Sequence, residues 1–250
     1  MTSAVAFIPA RSGSKRLPNK NVSLLSGHPL LAYSVCTAIE SGIFDAVICA
    51  TDDGIYADIA RHYGAEVPML RPPEISGDLS PDIEWVEWML QLLEKEGRTF
   101  DAFSILRPTN PFRKADTIQR AWQQFVSSRG IDSLRAVEKC KQHPGKMWIV
   151  GREQMVPLLP LSPNGQPWHS SQYSALPPVY VQNASLEIAW VRVVFEDRSI
   201  AGHVLAPFFT TEEEGLDINE EFDWWKIEYL LQSGRVSLPE INVNKWENGS

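Results

Sequence analysis

The chain has 250 residues, of which 44% are hydrophobic and 22% charged, so it can bury one substantial core. Its net charge of −8 argues against a nucleic-acid-binding surface, which is normally basic. No apolar run reaches about 18 residues and the stretch before Arg11 is too short for a signal peptide, so we expect no membrane contact. Cys36, Cys49 and Cys140 form no CxxC pair, which favours the reducing cytoplasm.

The first half of the chain alternates between two patterns. Short apolar runs rich in β-branched residues predict buried strands, at residues 5–8, 46–50, 67–70 and 102–106. Apolar residues at helical spacing predict the helices between and after them, which begin near residues 30, 55, 81 and 114. Ser80 is expected to cap the third helix. This alternation predicts an α/β fold with a mostly parallel, Rossmann-like sheet that binds ligands at the carboxyl ends of its strands.

The second half is less regular. From about 141 to 180 the periodicity disappears, and such a long stretch is usually functional, so we expect an arm within a single domain of residues 1–240. The run 186–195 predicts another strand and 219–232 a last helix. Residues 241–250 are expected to be a tail that frays from Asn242.

A cationic loop follows the first predicted strand. Residues 10–21 read ARSGSKRLPNKN and place Arg11, Lys15, Arg16 and Lys20 around a Ser-Gly-Ser turn. A triphosphate carries roughly three to four negative charges and needs backbone N–H donors and cations to hold it. The GxxxxGK[ST] spacing of the Walker A loop is absent. The loop therefore predicts a triphosphate site of another type, and a merely solvated basic loop fits its position less well.

Two aspartates follow the second predicted strand, and an acidic run comes late in the chain. Asp52 and Asp53 could touch a nucleotide or metal, or they could cap the helix that begins near Gly54. Glu212, Glu213 and Glu214 are expected to form a solvated acidic loop, although Glu214 could support a metal site.

A series of blocks in chain order resembles the acylneuraminate cytidylyltransferases, the CMP-sialic acid synthetase group, over about residues 4 to 232. The blocks are AxxxSKxLxxKN in the loop, ATDD (50–53), LRP with Asp78, LRPTNPFR (106–113), HPGK (143–146), YVQNA (180–184) and LDIN (216–219). The resemblance implies a fold of the nucleotide-diphospho-sugar transferase type. It also implies a homodimer that exchanges the arm at about 141–180, and a reaction of CTP with a sugar that releases pyrophosphate.

The resemblance implies a role for each matching residue. Lys20, Arg11 and Asp217 would be catalytic. The nucleotide would be bound by Ala10, Arg11, Ser14, Lys15, Lys20, Asn21, Arg71 and Ser80. The acceptor would be bound by Arg107, Thr109, Asn110, Lys146, Tyr173 and Asn183. Asp217 and Asn219 would hold Mg²⁺ or Mn²⁺, because hard cations prefer oxygen ligands.

This chain departs from the family pattern in the metal and acceptor regions. Asn219 stands where the family usually has a second metal-binding aspartate, and an amide oxygen carries no formal charge. Arg107 replaces a glutamine, and residues 172–175 lack an arginine that would reach the carboxylate of the sugar. Either Arg107 clamps that carboxylate instead, or the acceptor is a sugar 1-phosphate whose phosphate Arg107 holds.

The function therefore stays open between alternatives. The first is a cytidylyltransferase that makes a CMP-activated nonulosonic (sialic-type) sugar acid. The second is a sugar-1-phosphate nucleotidylyltransferase that uses CTP or GTP, which Tyr173 in place of arginine favours. The third is a catalytically weak nucleotide-binding regulatory protein, which Asn219 alone supports. None of them needs nucleic acid or a membrane.

Overall fold

A computed structural model describes residues 2–159, 165–211 and 213–247. Its strands are β1 Ala4–Pro9, β2 Leu24–Leu25, β3 His28–Pro29, β4 Ala46–Ala50, β5 Ala102–Ile105, β6 Ser133–Lys139, β7 Trp148–Val150, β8 Met155–Pro157, β9 Tyr180–Trp190 and β10 Leu205–Phe209. Its α-helices are α1 Leu30–Glu40, α2 Gly54–His62, α3 Asp82–Lys95, α4 Ala115–Ser127, α5 Arg192–Glu196 and α6 Glu221–Gln232. Residues 160–164 of the predicted arm and Glu212 of the predicted acidic loop lie outside the described residues.

The described residues form a six-stranded sheet in the order β10, β6, β9, β5, β1, β4. β1 pairs in parallel with β4 on one side and with β5 on the other, and β9 runs antiparallel to β5. Because parallel strands end at the same edge, the loops that follow Pro9, Ala50 and Ile105 open side by side. The predicted α/β fold with a mostly parallel, Rossmann-like sheet is confirmed.

The sheet is covered by helices on both faces. Ala6 and Ile8 of β1 pack into a core with α1, α2 and α4, whereas Val5 and Phe7 pack with α3 and α5. Every residue of β4 is buried although β4 is the last strand of the sheet, because its two faces pack into the two cores. Among the helices that the structure describes, none is both long enough and apolar enough to cross a membrane.

Several local predictions are wrong for identifiable reasons. Residues 67–70 do not form a strand of the sheet. Glu66 makes an isolated bridge to Ile48, and Pro68 within the run and Pro72 just after it have no N–H to donate. The run 186–195 continues as strand only to Trp190 and then turns into α5. Ser80 does not cap α3, because Pro81 occupies the N-cap position.

The chain divides into two compact units, one made of residues up to Ala136 and from Asn183 onward, the other of Val137–Gln182. The second unit contains the antiparallel hairpin of β7 and β8. In it, His143 accepts a hydrogen bond at Nδ1 from the Gly145 N–H and donates from Nε2 to the carbonyl of Pro177, at 3.0 and 2.9 Å.

The end of the chain, up to residue 247, packs against the core of the first unit, of which it is a part. Trp246 contacts the core, and its backbone N–H donates to the hydroxyl of Tyr63 at 3.1 Å. His62 Nε2 donates to the carbonyl of Asn244 at 2.8 Å. The prediction that residues from Asn242 fray is therefore wrong up to residue 247, because an aromatic anchor holds the segment.

Asp53 is the N-cap of α2, since its Oδ1 accepts from the N–H groups of Ile55 and Tyr56 at 2.8 and 3.0 Å. We predict that Asp53→Ala lowers the free energy of unfolding by about 1 kcal/mol, measured by urea denaturation. Asp58→Ala, on the exposed face of the same helix, is the control and should change it by less than about 0.5 kcal/mol. If Asp53→Ala kept its stability but lost nucleotide binding, Asp53 would belong to the ligand site instead.

Candidate active site

Hydrogen bonds fix the conformation of the cationic loop where it follows β1. The N–H of Ala10 donates to the carbonyl of Ala50 at 3.0 Å, so Ala10 extends the sheet. Asp52 then accepts from the N–H and the hydroxyl of Ser12, at 2.8 and 3.2 Å. Asn21 closes the loop by donating from Nδ2 to the carbonyl of Arg11 at 3.1 Å. Asp52 thus holds the loop in place, a role that its position at a strand end could suggest but not establish.

A cavity of about 400 Å³ opens at the carboxyl edge of the parallel strands. Its wall combines the loop after β1 with the segments that follow β4 and β5. It brings together many of the predicted site residues, namely Arg11, Ser14, Lys15, Lys20, Asn21, Arg71, Ser80, Arg107 and Thr109. Residues distant in sequence therefore meet where the fold predicts a ligand.

The cavity is strongly cationic although the whole chain is acidic. Within the described part of the chain, its wall carries six arginine or lysine side chains and two carboxylates, Asp78 and Asp82. A concave surface with one dominant sign of charge concentrates the field and attracts oppositely charged ligands. The wall is therefore suited to a polyanion such as a triphosphate.

Lys20 connects the loop to the late segment of the chain. The side chain is buried, and its Nζ donates to the carbonyl of Ile218 at 2.8 Å. Burial lowers the pKa of Lys20 from its ordinary value of 10.5, while the nearby Asp217 acts in the opposite direction. A partly desolvated ammonium group of this kind interacts more strongly with an anion than an exposed lysine does.

Asp217 presents an unsatisfied carboxylate oxygen. Asn219 Nδ2 donates to Asp217 Oδ2 at 2.6 Å, and only the NH₂ side of the amide can face a carboxylate. Asp217 Oδ1 is buried and has no hydrogen-bond partner among the described residues. A buried acceptor without a partner is costly, and a cation would satisfy it. The assignment of Asn219 as a metal ligand stays a prediction, and in this geometry its amide orients Asp217.

The segment that carries Asp217 is anchored to the loop after β5. The N–H of Ile218 donates to the carbonyl of Thr109 at 2.8 Å. Asn110, fully buried, donates from Nδ2 to the carbonyl of Glu214 at 2.7 Å. Glu214 in turn accepts from Thr117 at 2.6 Å and pairs with Arg120. The prediction of a solvated loop is wrong for Glu214, and the buried Asn110 side chain anchors the segment that carries Asp217.

Arg107 lies on the cavity wall within an ionic network that the sequence does not reveal. Its Nη2 pairs with Asp82 at 2.5 Å and with Glu187 at 2.8 Å, and Glu187 also pairs with Arg135. Burial would raise the pKa of Asp82, but Arg107, the Trp85 N–H and Arg71 together outweigh it and keep that pKa below its usual value. Arg107 is therefore held in a fixed orientation.

The other predicted acceptor residues have structural partners. Asn183 donates to the hydroxyl of Thr210 at 2.8 Å and accepts from the N–H of Ser185 at 3.1 Å. In the unit of residues 137–182, Lys146 donates to the carbonyl of Ser171 at 2.7 Å. Tyr173 in the same unit donates to the carbonyl of Lys141 at 2.6 Å. Their contact with an acceptor stays a prediction.

The sheet, the cationic loop at its carboxyl edge and the unsatisfied carboxylate define a nucleotide-binding α/β enzyme. A CMP:2-keto-3-deoxy-manno-octonic acid synthetase, solved with CTP, has a similar fold: the TM-score is 0.65 over 93% of this chain and 100% of that one. The two sequences are 14% identical, so this likeness concerns the fold alone.

Sequence relatives give the family. The model described as "Cytidylyltransferase" matches residues 5–130. CMP-N,N'-diacetyllegionaminic acid synthase from Legionella pneumophila is 31% identical over 94% of this chain and 98% of its own length. Pseudaminic acid cytidylyltransferase from Campylobacter jejuni is 34% identical over 54% of this chain and 58% of its own. The chain belongs to the cytidylyltransferase family, and is a nucleotidyltransferase.

Lys20 provides a direct test of the loop. We predict that Lys20→Met lowers kcat/KM by about 100-fold or more, because it removes the buried ammonium from the phosphate region while keeping the length of the side chain. Lys95→Met, at the exposed end of α3, is the matched control and should retain full activity. Circular dichroism and thermal melting verify that both variants fold. A folded and fully active Lys20→Met enzyme would exclude this lysine from the chemistry.

Proposed function

We propose that the protein transfers the cytidylyl group of CTP to a nonulosonic acid, giving a CMP-activated sugar acid and pyrophosphate. The observation that carries the proposal is the cavity in which the loop of residues 11–21 faces Arg71, Ser80 and Arg107. The sugar acids in the names of the relatives from Legionella and Campylobacter supply the acceptor class. The cavity supplies the charge that a triphosphate needs.

The proposed reaction is a displacement at the α-phosphorus of CTP. A hydroxyl oxygen of the sugar acid forms a bond to that phosphorus, the bond to the β-phosphate oxygen breaks, and the hydroxyl proton is released. Negative charge accumulates on the leaving pyrophosphate. We expect Arg11, Lys15 and Lys20 to stabilise it electrostatically, which is commonly a large contribution to catalysis.

The residues present fit a divalent cation bound together with the nucleotide. Asp217 Oδ1 is the buried acceptor that Mg²⁺ or Mn²⁺ would satisfy. The described residues contain no group of three or more His, Cys, Asp or Glu side chains arranged to hold a metal. Mg²⁺ commonly binds one or two carboxylates and completes its shell with substrate phosphates and water. When bound, the ion would neutralise phosphate charge.

Asp217→Asn tests the cation site without relying on activity. We expect its affinity for Mn²⁺ in the presence of CTP, measured by electron paramagnetic resonance, to fall about 10-fold or more, because a neutral oxygen replaces a charged ligand. Glu221→Gln, at the exposed start of α6, is the charge-matched control. Equal Mn²⁺ affinity in Asp217→Asn and wild type would contradict the assignment.

Acceptor choice is tested by pyrophosphate release. Four nucleoside triphosphates are combined with legionaminic, pseudaminic and sialic acids, and separately with hexose 1-phosphates. We expect turnover with CTP and at least one nonulosonic acid, and no turnover with the sugar 1-phosphates, because the named relatives act on or make sugar-acid derivatives.

Each other outcome of this screen selects another function. Turnover restricted to hexose 1-phosphates would identify a sugar-1-phosphate nucleotidylyltransferase. Arg107 would then bind the phosphate of the acceptor. Binding of CTP without pyrophosphate release from any combination would favour a regulatory nucleotide-binding protein.

The proposal includes a homodimer formed through the arm. Within residues 137–182, the hairpin of β7 and β8 exposes apolar side chains, with Val150 at 75% and Val156 at 55% exposure. Exposed apolar groups in one contiguous segment suit a protein interface. We expect a dimer by analytical ultracentrifugation, and a monomer after Val150→Glu with Val156→Glu. Val126→Glu, on α4, is the control, and a monomeric wild type would contradict the proposal.

The proposed compartment is the cytoplasm. Cys36, Cys49 and Cys140 are free thiols, which suits a reducing environment. Fractionation of cells that produce the tagged chain would locate it, and recovery outside the cytoplasm would contradict this part of the proposal.

A further inference from the structure

Asp78 lies across the cavity from the cationic loop and pairs with two of its side chains. Its Oδ1 meets Arg11 Nη1 at 2.6 Å, and its Oδ2 pairs with Lys15 Nζ. All three residues line the same cavity. One carboxylate thus binds two cations that the proposed function assigns to the triphosphate.

A second aspartate that contacts the cationic loop behaves differently. Asp52 accepts from the backbone N–H and the hydroxyl of Ser12, which are neutral donors that shape the loop. Asp78 forms ion pairs with Arg11 and Lys15 on the cavity wall, where an anionic ligand would bind. The partners distinguish the two roles: Asp52 supports the loop, whereas Asp78 occupies its charged groups.

The strength of the Asp78 contacts suits a group that can be displaced. The Asp78 side chain is 29% exposed and that of Lys15 is 82% exposed, so water screens both ion pairs. Lys15 and then Arg11 keep the pKa of Asp78 below its usual value, so the carboxylate is charged at neutral pH. A triphosphate offers several charged oxygens against the single carboxylate of Asp78.

We propose that Asp78 is an internal competitor of the triphosphate for Arg11 and Lys15, and thereby sets the affinity of the nucleotide site. The inference rests on the proposed function. Phosphate oxygens and the Asp78 carboxylate draw on the same two cations, so a bound phosphate chain takes N–H donors of Arg11 and Lys15 away from Asp78. Removing the charge of Asp78 strengthens phosphate binding.

Isothermal titration calorimetry with the full chain tests this, using CTP, inorganic tripolyphosphate and cytidine as ligands. For Asp78→Asn we expect the Kd of CTP and of tripolyphosphate to fall about threefold to tenfold, as the loss of a weak internal competitor implies. The Kd of cytidine, which has no phosphate, stays unchanged. Asp78→Ser provides a second variant with the same expected direction.

Two control variants separate competition from general effects. Glu84→Gln removes a negative charge from the exposed start of α3, near Asp78, and forms no ion pair among the described residues. Its Kd values should stay within about twofold of wild type, because an exposed charge without a contact is screened. Asp52→Ala should weaken CTP binding, because the loop loses its support.

The outcomes distinguish failure of the inference from failure of the proposed function. Unchanged or weaker binding of CTP and tripolyphosphate by both Asp78 variants, with wild type binding normally, overturns the inference alone. An equal gain in Glu84→Gln also overturns it, since the effect would then be one of general charge. A wild-type chain that binds neither CTP nor tripolyphosphate overturns the proposed function and the inference together.

Discussion

The hydrogen bond from Lys20 to the carbonyl of Ile218 is the contact on which the site depends. It joins the loop after the first strand to the segment that carries Asp217, and these lie almost two hundred positions apart in the chain. Burying an ammonium group is unfavourable unless it is hydrogen-bonded and compensated by charge. The carbonyl of Ile218 and the nearby Asp217 provide both. The cationic loop and the segment that carries Asp217 therefore hold each other in place.

Further charged contacts surround the site. Glu214 is buried, accepts a hydrogen bond from Thr117 and pairs with Arg120, which anchors the segment that carries Asp217. Arg107 is held between Asp82 and the buried Glu187. Asp78 pairs with Arg11 and Lys15 of the cationic loop, and the Lys15 side chain is largely exposed. An exposed ion pair is weak, so the Lys15 contact exchanges with a ligand more readily than the contacts of Glu187 and Glu214 do.

Sequence predicts this molecule well where a local pattern determines the structure. β1 and β4 are continuous apolar runs, and a parallel sheet requires such runs, so the fold and the position of the loop could be predicted. The pairing of Arg107 with Glu187 could not, because it joins β9 to a distant loop and no local pattern encodes it. The strand expected at 67–70 is not formed, because Pro68 and Pro72 cannot donate sheet hydrogen bonds although the run is apolar. The family pattern predicts Asn219 as a metal ligand, but a sequence pattern does not reveal which way the side chain points.

A crystal structure with a non-hydrolysable CTP analogue and Mg²⁺ tests the central claim most directly. The account predicts that the phosphate chain contacts the side chains of Arg11 and Lys20, and that a magnesium ion binds Asp217 Oδ1. Phosphates bound away from the 11–21 loop, or an Asp217 remote from the metal, would contradict it.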